Sequence, residues 1–164
     1  VPGIGKTTLI RKVAAEMQQR RIGGFYTEEI RRSGQRQGFR LVTFNGKQGI
    51  IAHADFDHRH RVGKYGVDVN AIDRFADITL SISEDTDVYV VDEIGKMECL
   101  APRFVSRMEA LLSSDKVIIA TVGKKGSGLI EKVKHWPDSQ LWEITHENRD
   151  ALVTQVIAWI DQRA

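Results

Sequence analysis

The stretch VPGIGKTTLI, residues 1–10, decides how the rest of the chain is read. Gly5, Lys6 and Thr7 end a phosphate-binding loop of the form G-x-x-x-x-G-K-[ST]. In such a loop, backbone N–H groups freed by glycine curl inward onto phosphate oxygens. The helix that follows adds the partial positive charge of its N-terminus. Gly3 and Gly5, on either side of Ile4, permit the curl, and Pro2 stiffens it. Lys6 is expected to reach the β- and γ-phosphates, Thr7 to offer its hydroxyl to Mg²⁺, and Thr8 to lie near the α-phosphate. The plainer alternative is a glycine-rich turn before an ordinary helix. The loop's first glycine falls one place before Val1. A short apolar strand and that glycine are therefore expected ahead of Val1. The chain beginning at Val1 is expected to bind nucleotide weakly.

Downstream, strand-like and helix-like segments alternate, which predicts an α/β sheet with crossover helices. Leu9, Val13 and Met17, with Ile10 and Ala14, form one apolar face and predict a helix over about residues 7–20. A strand is expected at about 24–30. The turn pairs Ser33-Gly34 and Asn45-Gly46 then mark an antiparallel ribbon, an insertion over about 31–66. Further helices are expected near 69–76, over PRFVSRMEALL with Pro102 in the first turn, over LIEKVKHW, and at the C-terminus. Buried strands are expected at DVYVVDE and KVIIATV, and a last strand at LWEIT, residues 141–145.

Composition sets the outer limits. At 164 residues, 41% of them hydrophobic and 28% charged, the chain suits one domain, residues 1–164, with a sizeable core. A net charge of +2 gives no reason to expect a nucleic-acid groove or an anionic membrane surface. No apolar run is long enough to span a bilayer. The single cysteine, Cys99, excludes an internal disulfide and any cysteine-based zinc cluster. A cytoplasmic monomer is the default expectation.

The segment VYVVDE places Asp92 and Glu93 at the carboxyl end of a buried strand, the edge where open α/β sheets bind ligands. Asp92 suits a Walker-B acid that holds Mg²⁺ through water, and Glu93 suits a base that takes a proton from attacking water. A pair of solvated acids ending a strand is the bland reading, made improbable by the phosphate loop. In the IGKMEC that follows, Lys96 and Glu98 are expected in a loop over the γ-phosphate. Lys96 there either offsets transition-state charge in cis or pairs with Glu98 in solvent.

PGIGKTTL, GFYTEEIR, VGKYGVD, VVDEIGKME and ENRD, in that order, resemble the THEP1-type nucleoside-triphosphatases over essentially the whole chain. The resemblance implies a RecA-like (ASCE) P-loop fold, a mostly parallel sheet between helices in three α/β/α layers, with the strand before the phosphate loop at its centre between the DE strand and the C-terminal strand. It also implies Mg²⁺-dependent hydrolysis of ATP, GTP and other NTPs to NDP and phosphate. Tyr26, Thr27 and Glu28 become candidates for the surroundings of Mg²⁺ or for positioning water, or else show ordinary strand alternation. Thr121 occupies the place of a polar γ-phosphate sensor. Asn148 and Arg149 follow the last strand and are placed to contact the base, unless Thr145 simply caps the final helix there. VGKYGVD, with Lys64 and Tyr65 between glycines, reads equally as a lid or a structural turn.

Two rivals share these motifs. A nucleotide or small-molecule kinase could use the same fold with an acceptor pocket in the insertion. A weakly hydrolysing nucleotide-binding module would not need Glu93. His53, His58 and His60 with Asp55 and Asp57 read as a solvated loop rather than a metal cluster, and Trp136, Trp142 and Trp159 as packing residues.

Overall fold

The computed structural model describes residues 4–164. Its chain order is α1 (Lys6–Ala15), β1 (Ile22–Arg32), β2 (Gln35–Thr43), β3 (Gln48–His53), β4 (Arg61–Val62), β5 (Tyr65–Val67), α2 (Val69–Thr79) and β6 (Val88–Ile94). A short 3₁₀ turn (Glu98–Leu100), α3 (Pro102–Leu112), β7 (Val117–Val122), α4 (Leu129–Lys134) and α5 (Arg149–Asp161) complete it. The first helix ends earlier than its apolar spacing predicts. Glu16 and Met17 bond to carbonyls three residues back, at 3.2 and 3.1 Å, which tightens the last turn and stops the helix, although Met17 still packs inward.

One seven-stranded sheet runs in the order β4-β5-β3-β2-β1-β6-β7. Among the described residues only β1–β6 and β6–β7 pair in parallel, while the remaining pairings are antiparallel. The sheet is therefore mixed rather than mostly parallel, because the ribbon joins the main sheet instead of projecting from it. The joint is β1. Its first residues, Ile22 to Phe25, pair with Val88 to Val91, and from Phe25 to Arg32 it carries β2. Ser33 and Gly34, both at positive φ (52° and 78°), make the tight turn between these strands. VGKYGVD forms the β4–β5 hairpin, with Tyr65 buried and accepting a hydrogen bond from Arg36 Nε at 3.0 Å. It is a structural turn.

Alternation along β6 divides the core. Tyr89 and Val91 face α2 and α3, against Phe25, Ile72, Phe104 and Met108. Val88 and Val90 face α1 and α5, against Ile10, Val13, Val153, Val156 and Ile160. Three layers result, as expected, with β6 buried at their centre.

Both edges of β6 are taken, by β1 on one side and β7 on the other. A strand leading into the phosphate loop therefore does not sit beside the DE strand, contrary to expectation. The return from α1 delivers β1 to that place instead. Beyond β7 lies a cleft of about 1160 Å³, lined by β7, by Ile10 and Val13 of α1, by Val156 of α5 and by residues 139–144. LWEIT forms no strand among the described residues. Its residues 141–144 line the cleft without the hydrogen-bonded neighbour a strand requires.

Candidate active site

Gly5 caps α1 with φ of 101°, a left-handed conformation that a side chain disfavours, and its carbonyl accepts from Leu9 N at 2.9 Å. This conformation turns the chain sharply into the helix. Lys6 and Thr7 then begin α1 at the carboxyl ends of β6 and β7. The amides of that first turn lack helical partners, so the same place favours an anion. Pro2 and Gly3, the other expected loop residues, lie outside the described residues. Ile4 is buried, and Thr8 is exposed.

Two segments far apart in sequence meet here. Thr7 Oγ1 donates to Asp92 Oδ2 at 2.7 Å, and Thr121 Oγ1 donates to Asp92 Oδ1 at 2.7 Å. Thr27 N–H also points to Asp92 Oδ2, at 3.5 Å. Lys6 Nζ donates to Glu93 Oε2 at 3.2 Å and to the Val122 carbonyl at 3.4 Å. The Asp92–Glu93 peptide is cis. Asp92 is 2% exposed, and burial raises its pKa against the opposing pull of the Thr121 and Thr7 hydroxyls. Glu93, half-buried beside Lys6, remains open to solvent on one side.

The other candidates fall around this centre. It is the backbone of Thr27 that meets Asp92. The ring of Tyr26 packs on Phe44 beneath the Arg11 guanidinium, and Glu28 pairs with Arg40 on β2 at 3.8 Å. Asn148 precedes α5 with its side chain engaged locally. Its Oδ1 accepts from Thr145 N at 2.7 Å, and its Nδ2 donates to the Glu143 carbonyl at 2.8 Å. Arg149 begins α5 and lies against the phosphate loop, its Cδ 3.6 Å from where a Cβ on Gly5 would stand. Lys96 is exposed.

Glu98 departs from expectation. It is 5% exposed, turned into the protein instead of pairing with Lys96 in solvent. Its carboxyl and that of Glu93 close on Gly95: a Cβ there would meet Glu98 Oε1 at 2.8 Å and Glu93 Oε1 at 3.0 Å. Sequence offered no signal for this burial, since a Glu one turn beyond a strand is ordinarily solvated. Burial, together with the charges of Glu93 and Asp92, pushes Glu98 up to about 8. Cys99 beside it is likewise pushed up, to about 11, so its thiol is not activated. Among the described residues no cluster of three or more His, Cys, Asp or Glu is arranged to hold a metal, and His53 lies near Asp55 at 3.7 Å. No helix among them is long and apolar enough to cross a membrane.

A glycine-turned helix N-terminus carrying Lys and Thr, set against a buried strand ending in Asp-Glu, defines a P-loop nucleotide-binding protein. A family model described as "NTPase" matches residues 1–157. "Nucleoside-triphosphatase THEP1" of Thermotoga sp. (strain RQ2) is 37% identical over 96% of this chain and 90% of its own length. The protein of the same name from Caldivirga maquilingensis is 41% identical over 97% and 90%. The crystal structure of THEP1 from the hyperthermophile Aquifex aeolicus superposes with a TM-score of 0.89, 32% identity, and 98% and 95% coverage. The solution structure of a human cancer-related nucleoside triphosphatase gives a TM-score of 0.83 at 32% identity, with 100% and 95% coverage. The chain belongs to the THEP1 nucleoside-triphosphatase family.

Proposed function

We propose that the chain hydrolyses nucleoside triphosphates, ATP and GTP among them, to the diphosphate and phosphate, acting on free nucleotide as a cytoplasmic monomer. The carrying observation is the meeting of Lys6 and Thr7 with Glu93 and Asp92 at one sheet edge. The groups at this point are the Asp92 carboxylate and the Thr7 and Thr121 hydroxyls, hard oxygens of the kind that suit Mg²⁺. Thr7 and Asp92 would hold the ion, Asp92 through water, and it would supply neutralisation of phosphate charge.

The chain's own residues account for the remaining steps. The first-turn amides of α1 and Lys6 bind the β- and γ-phosphates. As Lys6 turns to phosphate it releases Glu93 Oε2, freeing that oxygen to accept a proton from water attacking in line. Thr121 keeps Asp92 oriented, and with Lys96 it stands at the γ-phosphate side, where Lys96 offsets developing charge. Arg149, beside Gly5 at the start of α5, and Asn148, which precedes that helix, are the groups assigned to nucleotide contact beyond the phosphates, the proximity of Arg149 to Gly5 supporting it.

The test is Glu93→Gln, assayed by phosphate release from ATP, GTP, CTP and UTP with and without Mg²⁺. Binding should persist while turnover falls by about 10²–10⁴-fold, the contribution of a positioned base. Equal loss of binding and turnover would remove Glu93 from that role. Phosphate appearing only on an added acceptor would make the chain a kinase.

A further inference from the structure

Burying a carboxyl beside two other carboxyls destabilises a fold, so the buried position of Glu98 calls for a reason. Its own amide and that of Gly95 bond to its carboxyl and partly offset burial, but no basic group among the described residues bears on it. The charged groups on the elements packed against its 3₁₀ turn are Asp73, Arg74 and Asp77 of α2, Arg103, Arg107 and Glu109 of α3, and Asp92 and Glu93 of β6. Arg103 and Arg107 are engaged by Asp77, and the Arg103 amide donates to Asp73 at 2.9 Å. The charges that bear on Glu98 are those of Glu93 and Asp92, both acidic. What Glu98 has instead is a shared wall with the base. Its Oε1 and the Oε1 of Glu93 press on the same side-chain-free position at Gly95.

We propose that Glu98 is a positioning residue for Glu93, filling the space behind Gly95 so that the Glu93 carboxylate is held toward Lys6 and the phosphate loop. With Oε1 of Glu93 confined at Gly95, Oε2 is the oxygen presented to Lys6, at 3.2 Å, and so to the water that replaces it. The proton Glu98 retains at neutral pH lets the two carboxyls lie this close without full repulsion. Gly95 is part of the device, since a Cβ there would stand 2.8 Å from Glu98 Oε1 and 3.0 Å from Glu93 Oε1 and push on both carboxyl ends.

Glu98 has this role only if Glu93 is the base, so the experiment separates the two. Steady-state hydrolysis of ATP is measured for Glu98→Ala, Glu98→Gln, Gly95→Ala, Glu93→Gln and the Glu93→Gln/Glu98→Ala double variant, each checked for folding by circular dichroism. Glu98→Ala is expected to lower kcat by about tenfold to a hundredfold with KM little changed, the cost of a slightly misplaced group. Glu98→Gln, which keeps shape and neutrality, should restore most of kcat. In the Glu93→Gln background Glu98→Ala should add little further loss, because both changes act through one group. Should Glu98→Ala fail to fold, Gly95→Ala reads the same wall by pushing on it and is expected to lower kcat in the same way. Wild-type kcat in both Glu98→Ala and Gly95→Ala, or a full additional loss in the double variant, would overturn the proposal while leaving Glu93 as base. Wild-type turnover by Glu93→Gln would remove both roles together.

Discussion

Thr7 and Asp92, 85 positions apart in the chain, are joined by a 2.7 Å hydrogen bond between the first turn of α1 and the end of β6. This contact ties the first turn of α1 to the acidic pair. It also holds the hydroxyl and the carboxylate side by side, as shared coordination of one cation requires.

Replacing Thr7 by Ala removes one hydroxyl from that pair and leaves Asp92 buried with one partner fewer. We expect the Mg²⁺ concentration for half-maximal phosphate release to rise by about tenfold or more, the scale of losing a metal-site contact. A magnesium titration of wild type and variant checks it. An unchanged midpoint would place the ion elsewhere.

Arg149 lies against the loop at Gly5, and among the described residues Asp92 and Glu93 take their side-chain hydrogen bonds from Thr7, Thr121, Thr27 and Lys6. Arg149→Ala should therefore weaken nucleotide binding while sparing chemistry. The expected result is KM for ATP and GTP raised by about threefold to thirtyfold, one lost cation–π or polar contact, with kcat nearly constant. A fall in kcat at constant KM would contradict it.

Phe104 is fully buried, with its ring centroid 6.2 Å from that of Phe25 across the joint between α3 and β1. Phe104→Ala should cost about 3–5 kcal/mol of unfolding free energy, through lost transfer energy and the cavity left behind. Urea denaturation measures it directly.

Glu98 makes stability depend on pH in an unusual direction. Its carboxyl, ordinarily at 4.5, is pushed up to about 8, chiefly by burial. Between those values the native chain holds a proton that the unfolded chain has already lost. Native protein therefore binds more protons, and stability falls as pH rises through this window, then levels off above about 8. Glu98→Gln cannot titrate. Its melting temperature, measured without metal, should match wild type at the acid end of the window and exceed it increasingly toward the alkaline end. Parallel curves for the two proteins would show that Glu98 is not titrating in this way.

Much of this architecture was legible in the residues because the signals are local. The turn pair Ser33-Gly34 marked the ribbon, the apolar run of β6 marked a strand buried on both faces, and Pro102 marked the start of α3. The sheet was less legible, since pairing depends on partners distant in the chain. β1 turned out to serve both the parallel and the antiparallel halves, β6 has β1 and β7 as neighbours, and LWEIT forms no strand. Helix α1 stopped five residues short of its apolar pattern, since burial of Met17 needs only a tightened turn there, not continued helix.

For the site, the chain's own residues determined its chemical types. A loop of glycines before Lys6 and Thr7, and an acid pair after an apolar strand, each state a preference for phosphate or cation wherever they fold. Only the tertiary structure decided which groups actually touch. It gave Thr121 to Asp92, turned the Thr27 amide rather than its side chain toward that carboxylate, and engaged Asn148 with its own loop. It also drew Glu98 out of solvent to the wall it shares with Glu93. The reason is physical: residue type and spacing set what a group can bind, whereas burial and distance depend on elements brought together from across the whole chain.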